Sequence, residues 1–213
     1  MGLGPVSQGD EALAEELGSG AAPSVGAGAG TLLVVSGPSG VGKSSVVHAL
    51  AERMTFHFSV SWTTRERRRG EVDGVDYVFV DRSEFERGIG SHGFLEWAEY
   101  SGHFYGTPRD PVLAHIEEGE HVLLDIENDG ARQVKEAYSE AMLVFILPPS
   151  IEELERRLRG RGDTSAKDIE RRLSVASSQM EEAPLTFDHL VTNTEVGAVA
   201  DEIVSILTAA DGS

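Results

Sequence analysis

"TLLVVSGPSGVGKSSVVHALAERM", residues 31–54, is the stretch from which the fold of this chain can be read. Leu32 to Val35 form an unbroken apolar run, the pattern of a strand buried on both faces of a parallel sheet. Gly37-Pro38-Ser39-Gly40-Val41-Gly42-Lys43-Ser44 then satisfies G-x-x-x-x-G-K-[ST], and the residues after it read as a helix. A strand before and a helix after are the context in which that motif cradles phosphate. Its glycines let backbone N–H groups converge on phosphate oxygens, and the helix N-terminus adds partial positive charge. Lys43 is placed to reach the terminal phosphates, Ser44 to ligate Mg²⁺, and Ser45 continues the binding loop into the helix.

Outward from this motif, "HVLLDI" and "AMLVFIL" are further apolar runs separated by helix-like segments. "FDHLVT" precedes a final helix with Val196, Val199, Ile203 and Ile206 on one face. Strands alternating with helices predict an α/β fold, a P-loop core with a mostly parallel sheet flanked by helices, and ligands at the strands' carboxyl ends. Two segments break the alternation. Residues 59–108 hold aromatics, glycines and short alternating stretches such as "DYVFV", which predict a small strand-rich insertion. "RRLRGRGDTSAKDIERRL" predicts two charged helical pieces around Gly160 and Gly162, with Ser150-x-x-Glu153 and Ser165-x-x-Asp168 as capping boxes. Residues 1–30 are rich in Gly, Ala and Ser and read as a disordered acidic tail.

With 213 residues and 40% apolar content, the chain has room for one α/β domain with small appendages. It has no cysteine, which excludes disulfides and thiolate chemistry and fits a reducing, cytoplasmic setting. No run is long enough to span a bilayer and no secretory signal is evident. A net charge of −18 argues against nucleic acid and anionic membrane as partners. Eleven of the 18 basic residues nevertheless fall in two windows, Arg65 to Arg69 and Arg156 to Arg172, which suits a small polyanion such as a nucleotide.

Four blocks, "SGPSGVGKSS", "SVSWTTRERRRGEVDGVDYVFV", "FLEWAEYSGHFYGTPRDPV" and "ILPPSIEELERRLRGRG", together resemble guanylate kinase, a family that phosphorylates GMP with ATP. The similarity runs from about Thr31 to Leu207 and keeps the family's order and spacing. It implies a core of residues 31–58, 109–155 and 173–208, a GMP-binding insertion at 59–108 and a helical lid at 156–172.

By this resemblance Arg65, Arg68, Tyr77 and Tyr105 occupy phosphate-holding positions, matching a dianion's need for guanidinium and hydroxyl donors. Guanine offers N1–H and N2–H₂ donors on one edge, so its reader should be an acceptor. Glu96 stands at the family's base-reading carboxylate, with Thr107 and Ser61 at its hydroxyl positions. Arg157, Arg161 and Arg172 match basic positions of the lid and the helix after it, with Arg161 and Arg172 as cations for the moving phosphoryl group, and Asn193 matches a residue of the ATP pocket. Arg156, Arg159 and Arg171 read as surface charge with partners at helical spacing.

In "LLDIENDGA" Asp125 keeps the family's first acid. Glu127 replaces the usual Asp, Asn128 an apolar residue and Asp129 the usual Gln. The implied role of Asp125 and Glu127 lies between acceptor and Mg²⁺-bound phosphates, whereas Asn128 and Asp129 have no reading from sequence. The seven histidines lack metal-ligand spacing or a serine partner and read as structural. The partners implied are ATP as co-substrate, GMP and Mg²⁺, in a monomer or homo-oligomer. A same-fold kinase for another phosphorylated acceptor, or a guanylate-kinase-like binding module, are the alternatives; the intact Lys43 and Ser44 speak against the second.

Overall fold

The computed structural model describes residues 30–160 and 165–211. The tail, but for Gly30, and Arg161 lie outside the described residues.

Nine strands and seven helices follow one another among the described residues: β1 (Leu32–Ser36), α1 (Lys43–Ala51), β2 (His57–Phe58), β3 (Trp62–Thr63), β4 (Val78–Phe79), α2 (Arg82–Gly90), β5 (Phe94–Tyr100), β6 (His103–Pro108), α3 (Arg109–Glu117), β7 (Val122–Asp125), α4 (Asn128–Ala137), β8 (Met142–Leu147), α5 (Ile151–Gly160), α6 (Ala166–Thr186), β9 (His189–Thr192) and α7 (Val196–Asp211). A five-stranded sheet has the order β2-β7-β1-β8-β9, with parallel β2–β7 and β8–β9 pairs. β1 is central and wholly buried, as its unbroken apolar run requires. The chain builds one side of β1 and then the other, so the carboxyl end of β1 is a topological switch point, where α/β sheets bind ligands.

Two compact units can be distinguished, one including Thr55–Leu124 and Asp129–Ala141, the other Val34–Met54, Asp125–Asn128 and the chain from Met142. The first carries a four-stranded sheet, β4-β3-β6-β5, in which β6 runs antiparallel to both neighbours. A core of Phe85 from α2, Phe94 from β5 and Phe104 from β6 holds it, with the Phe85 and Phe94 rings stacked at 4.3 Å. Each such ring contributes about 1.5–3 kcal/mol by leaving water. In the second unit α5 and α6 meet through Leu154, Leu158, Ile169 and Ala176. Both helices start on a serine: Glu153 N–H donates to Ser150 Oγ and Asp168 N–H to Ser165 Oγ, each at 3.2 Å. On α7 the buried stripe is Val199, Ala200, Ile203 and Leu207, an i, i+4, i+8 line that leaves Val196 and Ile206 at its half-buried margins.

Candidate functional site

The loop between β1 and α1 owes its shape to its glycines. Gly40 and Gly42 lie at φ +87° and +103°, left-handed conformations that side-chain-bearing residues rarely adopt. A Cβ on Gly42 would come within 2.8 Å of Asn193 Nδ2, so a side chain there would press on the amide that holds the Val41 carbonyl. Gly42 is also the N-cap of α1, and no side chain caps that helix end. The positive end of the helix dipole lies at this loop, a setting that favours an anion. Lys43 Nζ donates to the Gly37 carbonyl at 3.0 Å and sits 3.8 Å from Asp125 Oδ1, with both side chains largely buried (17% and 7% exposed). Ser44 follows in the first turn, while Ser39 and Ser45 are exposed and Pro38 is buried.

One carbonyl of the loop is held twice from outside. Val41 O accepts from Asn193 Nδ2 and from Arg157 Nη1, both at 2.8 Å. Arg157 also donates to the Asn193 carbonyl (3.3 Å) and to Glu153 Oε1 (2.8 Å), and Asn193 is buried. Two predicted ATP residues therefore spend their polar groups on the loop itself. Two arginines clasp the Glu153 carboxyl and hold it down at about 2. Arg172 Nη1 donates to Ser39 Oγ at 3.4 Å. Arg156 and Arg159 are exposed and paired with Glu153 and Glu155.

At the end of β7 the residues that depart from the family pattern have partners. Gln179 of α6 donates its side-chain amide to Glu127. Asn128 is buried, accepts from Ser36 Oγ at 3.3 Å and donates to the Gln179 carbonyl at 3.1 Å. The end of β1, the end of β7 and α6 are tied by this chain of polar contacts, which an apolar residue at 128 could not make. Asp129 is exposed and pairs with Arg132 at 2.7 Å. Sequence reasoning missed Gln179, which stands in no motif.

The acceptor residues gather in the other unit. Arg65 is bidentate to Glu71, at 2.6 and 3.0 Å, and its guanidinium lies 5.4 Å from the centre of the Tyr77 ring. The Tyr77 and Tyr105 rings meet at 6.0 Å. Glu71 is buried and also accepts from the Arg68 N–H at 2.6 Å, so one carboxylate shapes the backbone and side chain of the arginine loop. Hydrogen bonding to Arg65 holds its carboxyl below the ordinary range and raises the guanidinium. Sequence reasoning missed Glu71 too; its signal was a single acid after the Arg65–Arg69 run and Gly70.

Glu96 on β5 pairs in register with Thr107 on β6, and Thr107 Oγ1 donates to Glu96 Oε1 at 2.7 Å. Glu96 is 8% exposed, and burial pushes its carboxyl above the ordinary range against the smaller opposing effect of Thr107. Ser61 is half-buried and precedes β3. Beside Glu96, the Gln133 side chain receives the Trp97 N–H and donates to the Trp97 carbonyl, both at 3.1 Å, bracing β5 where it presents Glu96.

Comparison with known proteins agrees over almost the whole described chain. The family model described as guanylate kinase matches residues 29–210. A guanylate kinase of Thermus thermophilus is 51% identical over 180 residues, 84% of this chain and 81% of its own length. Guanylate kinases of Synechocystis and Thermobifida fusca are 48% and 50% identical over 84% of this chain, and over 93% and 91% of their own lengths. A crystal structure of guanylate kinase from Anaplasma phagocytophilum superimposes with a TM-score of 0.67 and 35% identity, covering 87% of this chain and 88% of that one.

Proposed function

The chain belongs to the guanylate kinase family, and from that premise we propose that it transfers the γ-phosphoryl group of ATP to GMP, giving ADP and GDP. The observation that carries the choice of acceptor is the buried Glu96 carboxylate with Thr107 beside it. The N1–H and N2–H₂ pair of guanine supplies the donors such a carboxylate lacks. Adenine presents an acceptor at N1 and leaves the buried charge with Thr107 in place of a base donor pair.

On this reading an oxygen of the GMP phosphate attacks the γ-phosphorus in line, the bond to the β,γ-bridging oxygen breaks, and ADP leaves with that oxygen. No bond to the protein forms, so the protein's part is positioning and charge. Gly37 to Ser45 cradle the ATP phosphates, Lys43 follows the charge toward the β and γ groups, and Arg157 and Asn193 act on ATP through the loop carbonyl they hold. Arg65, Arg68, Tyr77 and Tyr105 bind the GMP phosphate, while Ser61, Thr107 and Glu96 read its base. Arg172 and Arg161 supply cations from the lid, taken as residues 156–172, and the acceptor insertion is residues 59–108.

The donor set fits Mg²⁺: the Ser44 hydroxyl is a hard oxygen ligand, and the remaining positions would go to waters and phosphate oxygens. When bound, Mg²⁺ would neutralise phosphate charge; Asp125 and Glu127 would hold its waters or a donor group of the acceptor. No helix among the described residues is long and apolar enough to cross a membrane. We place the reaction in the cytoplasm on free nucleotides, in keeping with a chain charge of −18. The direct test is ³¹P NMR of purified protein with ATP, GMP and Mg²⁺. GDP and ADP should appear in equal amounts; ADP with inorganic phosphate in place of GDP would refute the proposal.

A further inference from the structure

The turn between α3 and β7 carries a second cluster of ligand-type side chains, at the end of β7 away from Asp125. α3 closes with the paired hydrogen bonds of a Schellman motif. Glu120 N–H donates to the His115 carbonyl at 2.9 Å and Gly119 N–H to the Ile116 carbonyl at 3.0 Å, with Gly119 left-handed at φ +85°. This motif sets the residue after the glycine beside the one five positions earlier, a place usually filled by an apolar contact. Here the pair is polar: His115 Nδ1 and Glu120 Oε2 are 2.7 Å apart. Glu118, in the same turn, completes a set of three ligand atoms all within 4.8 Å of one another. His57 of β2 stacks on His115 with ring centroids 3.7 Å apart, and its N–H donates to the His121 carbonyl at 2.8 Å, fixing the second wall of the cluster.

We propose that His115, Glu118 and Glu120 form a binding site for a divalent transition-metal ion of the zinc type. One imidazole with two carboxylates is a mixed nitrogen and oxygen set that suits Zn²⁺, whereas Mg²⁺ and Ca²⁺ favour oxygen alone. Bonds of about 2.0–2.2 Å in a tetrahedral array put ligand atoms roughly 3.4 Å from one another. His115 and Glu120, at 2.7 Å, part by less than ~1 Å to take that separation, and Glu118 is exposed and reaches it by side-chain rotation. The backbone need not move, because both hydrogen bonds of the turn are already made. The Glu118 and Glu120 carboxylates give the site negative charge. The ion takes the lone pair of His115 Nδ1 in place of the His115–Glu120 hydrogen bond, with the single ring proton on Nε2. Sequence spacing hides the cluster, since His115-x-x-Glu118-x-Glu120 runs across a helix end and matches neither a helical nor a finger pattern.

The test is calorimetric titration of the full chain with ZnCl₂, repeated with Glu118→Gln and His115→Ala. Thermal melts without metal check that each variant folds; Glu118 is exposed, so its variant keeps the test usable should His115→Ala unfold. The wild type should bind one ion per chain, with a melting temperature raised by saturating Zn²⁺. Each folded variant should bind at least ~10-fold more weakly, the least that losing even an outer-shell partner costs. Absence of saturable binding, or wild-type affinity in either folded variant, would overturn the proposal.

Discussion

In the proposed phosphate cradle the working groups belong to one contiguous loop, residues 37–44, anchored from outside at the Val41 carbonyl by Asn193 and Arg157 and at Ser39 by Arg172. The acceptor group instead draws Arg65, Tyr77, Glu96, Tyr105 and Thr107 from β5, β6 and the segment between β3 and β4, and each is positioned by a different neighbour. Its two buried carboxylates are treated in opposite ways. Glu71 is paired with a cation and held acidic, whereas Glu96 faces a hydroxyl and is pushed toward its neutral form. A carboxylate that costs the fold something and has no cation beside it is an acceptor kept for a ligand. One paired so fully with Arg65 is scaffolding. On the proposed function, the cradle recognises what all nucleotides share, and the acceptor group what distinguishes one of them.

Substitutions that break this contrast should act in different kinetic parameters. The largest effect is expected for Lys43→Ala, which removes the cradle's side-chain cation. Its kcat should fall by about 10³ in steady-state assays, as for loss of one transition-state donor, with GMP binding by calorimetry unchanged. Glu127→Ala should cost about 10² in turnover, the size of effect that a misplacement near 1 Å produces, while Glu127→Asp should remain active. Asp stops short of Gln179, so any deficit in Glu127→Asp measures what that contact adds. Glu71→Gln should raise KM for GMP by about 10-fold, the worth of one charge-assisted hydrogen bond, and leave kcat near wild type.

The smallest effects concern stability and have opposite signs. Glu71, with its lowered carboxyl, contributes stability that is present above its ordinary value of 4.5 and is lost as pH falls through the depressed folded value. Glu96, with its raised carboxyl, stabilises the fold below 4.5 and loses that contribution as pH rises through its elevated folded value. Thermal melts at neutral pH should therefore show Glu96→Gln more stable than wild type and Glu71→Gln less stable. The shifts are expected to be a few degrees, at about 2–4 °C per kcal/mol for a chain of this size.

The cradle was legible because its chemistry is contiguous: glycine positions, lysine and hydroxyl stand at fixed offsets between an apolar strand and a helix. The acceptor residues were legible only through several blocks taken together, because the β5–β6 register that pairs Glu96 with Thr107 is not written in either strand alone. Glu71 and Gln179 escaped because their partners are six and about fifty residues away, distances that no local pattern encodes. Asn128 had no reading as a loop residue, and gains one once β1 and α6 are seen on either side of it. The stripe on α7 slipped because the apolar residues of that helix outnumber one face, and packing chose Leu207 over Ile206.

The central claim is that Glu96 makes the acceptor group a reader of guanine. It is tested most directly by kcat/KM for GMP, AMP, UMP and CMP with saturating ATP and Mg²⁺, measured for the wild type and Glu96→Gln. The wild type should favour GMP over the others by about 10⁴, the discrimination expected where a buried polar group is left unpaired by the wrong ligand, and most of that preference should vanish in the variant. Equal use of GMP and AMP by the wild type, or undiminished discrimination in Glu96→Gln, would contradict it.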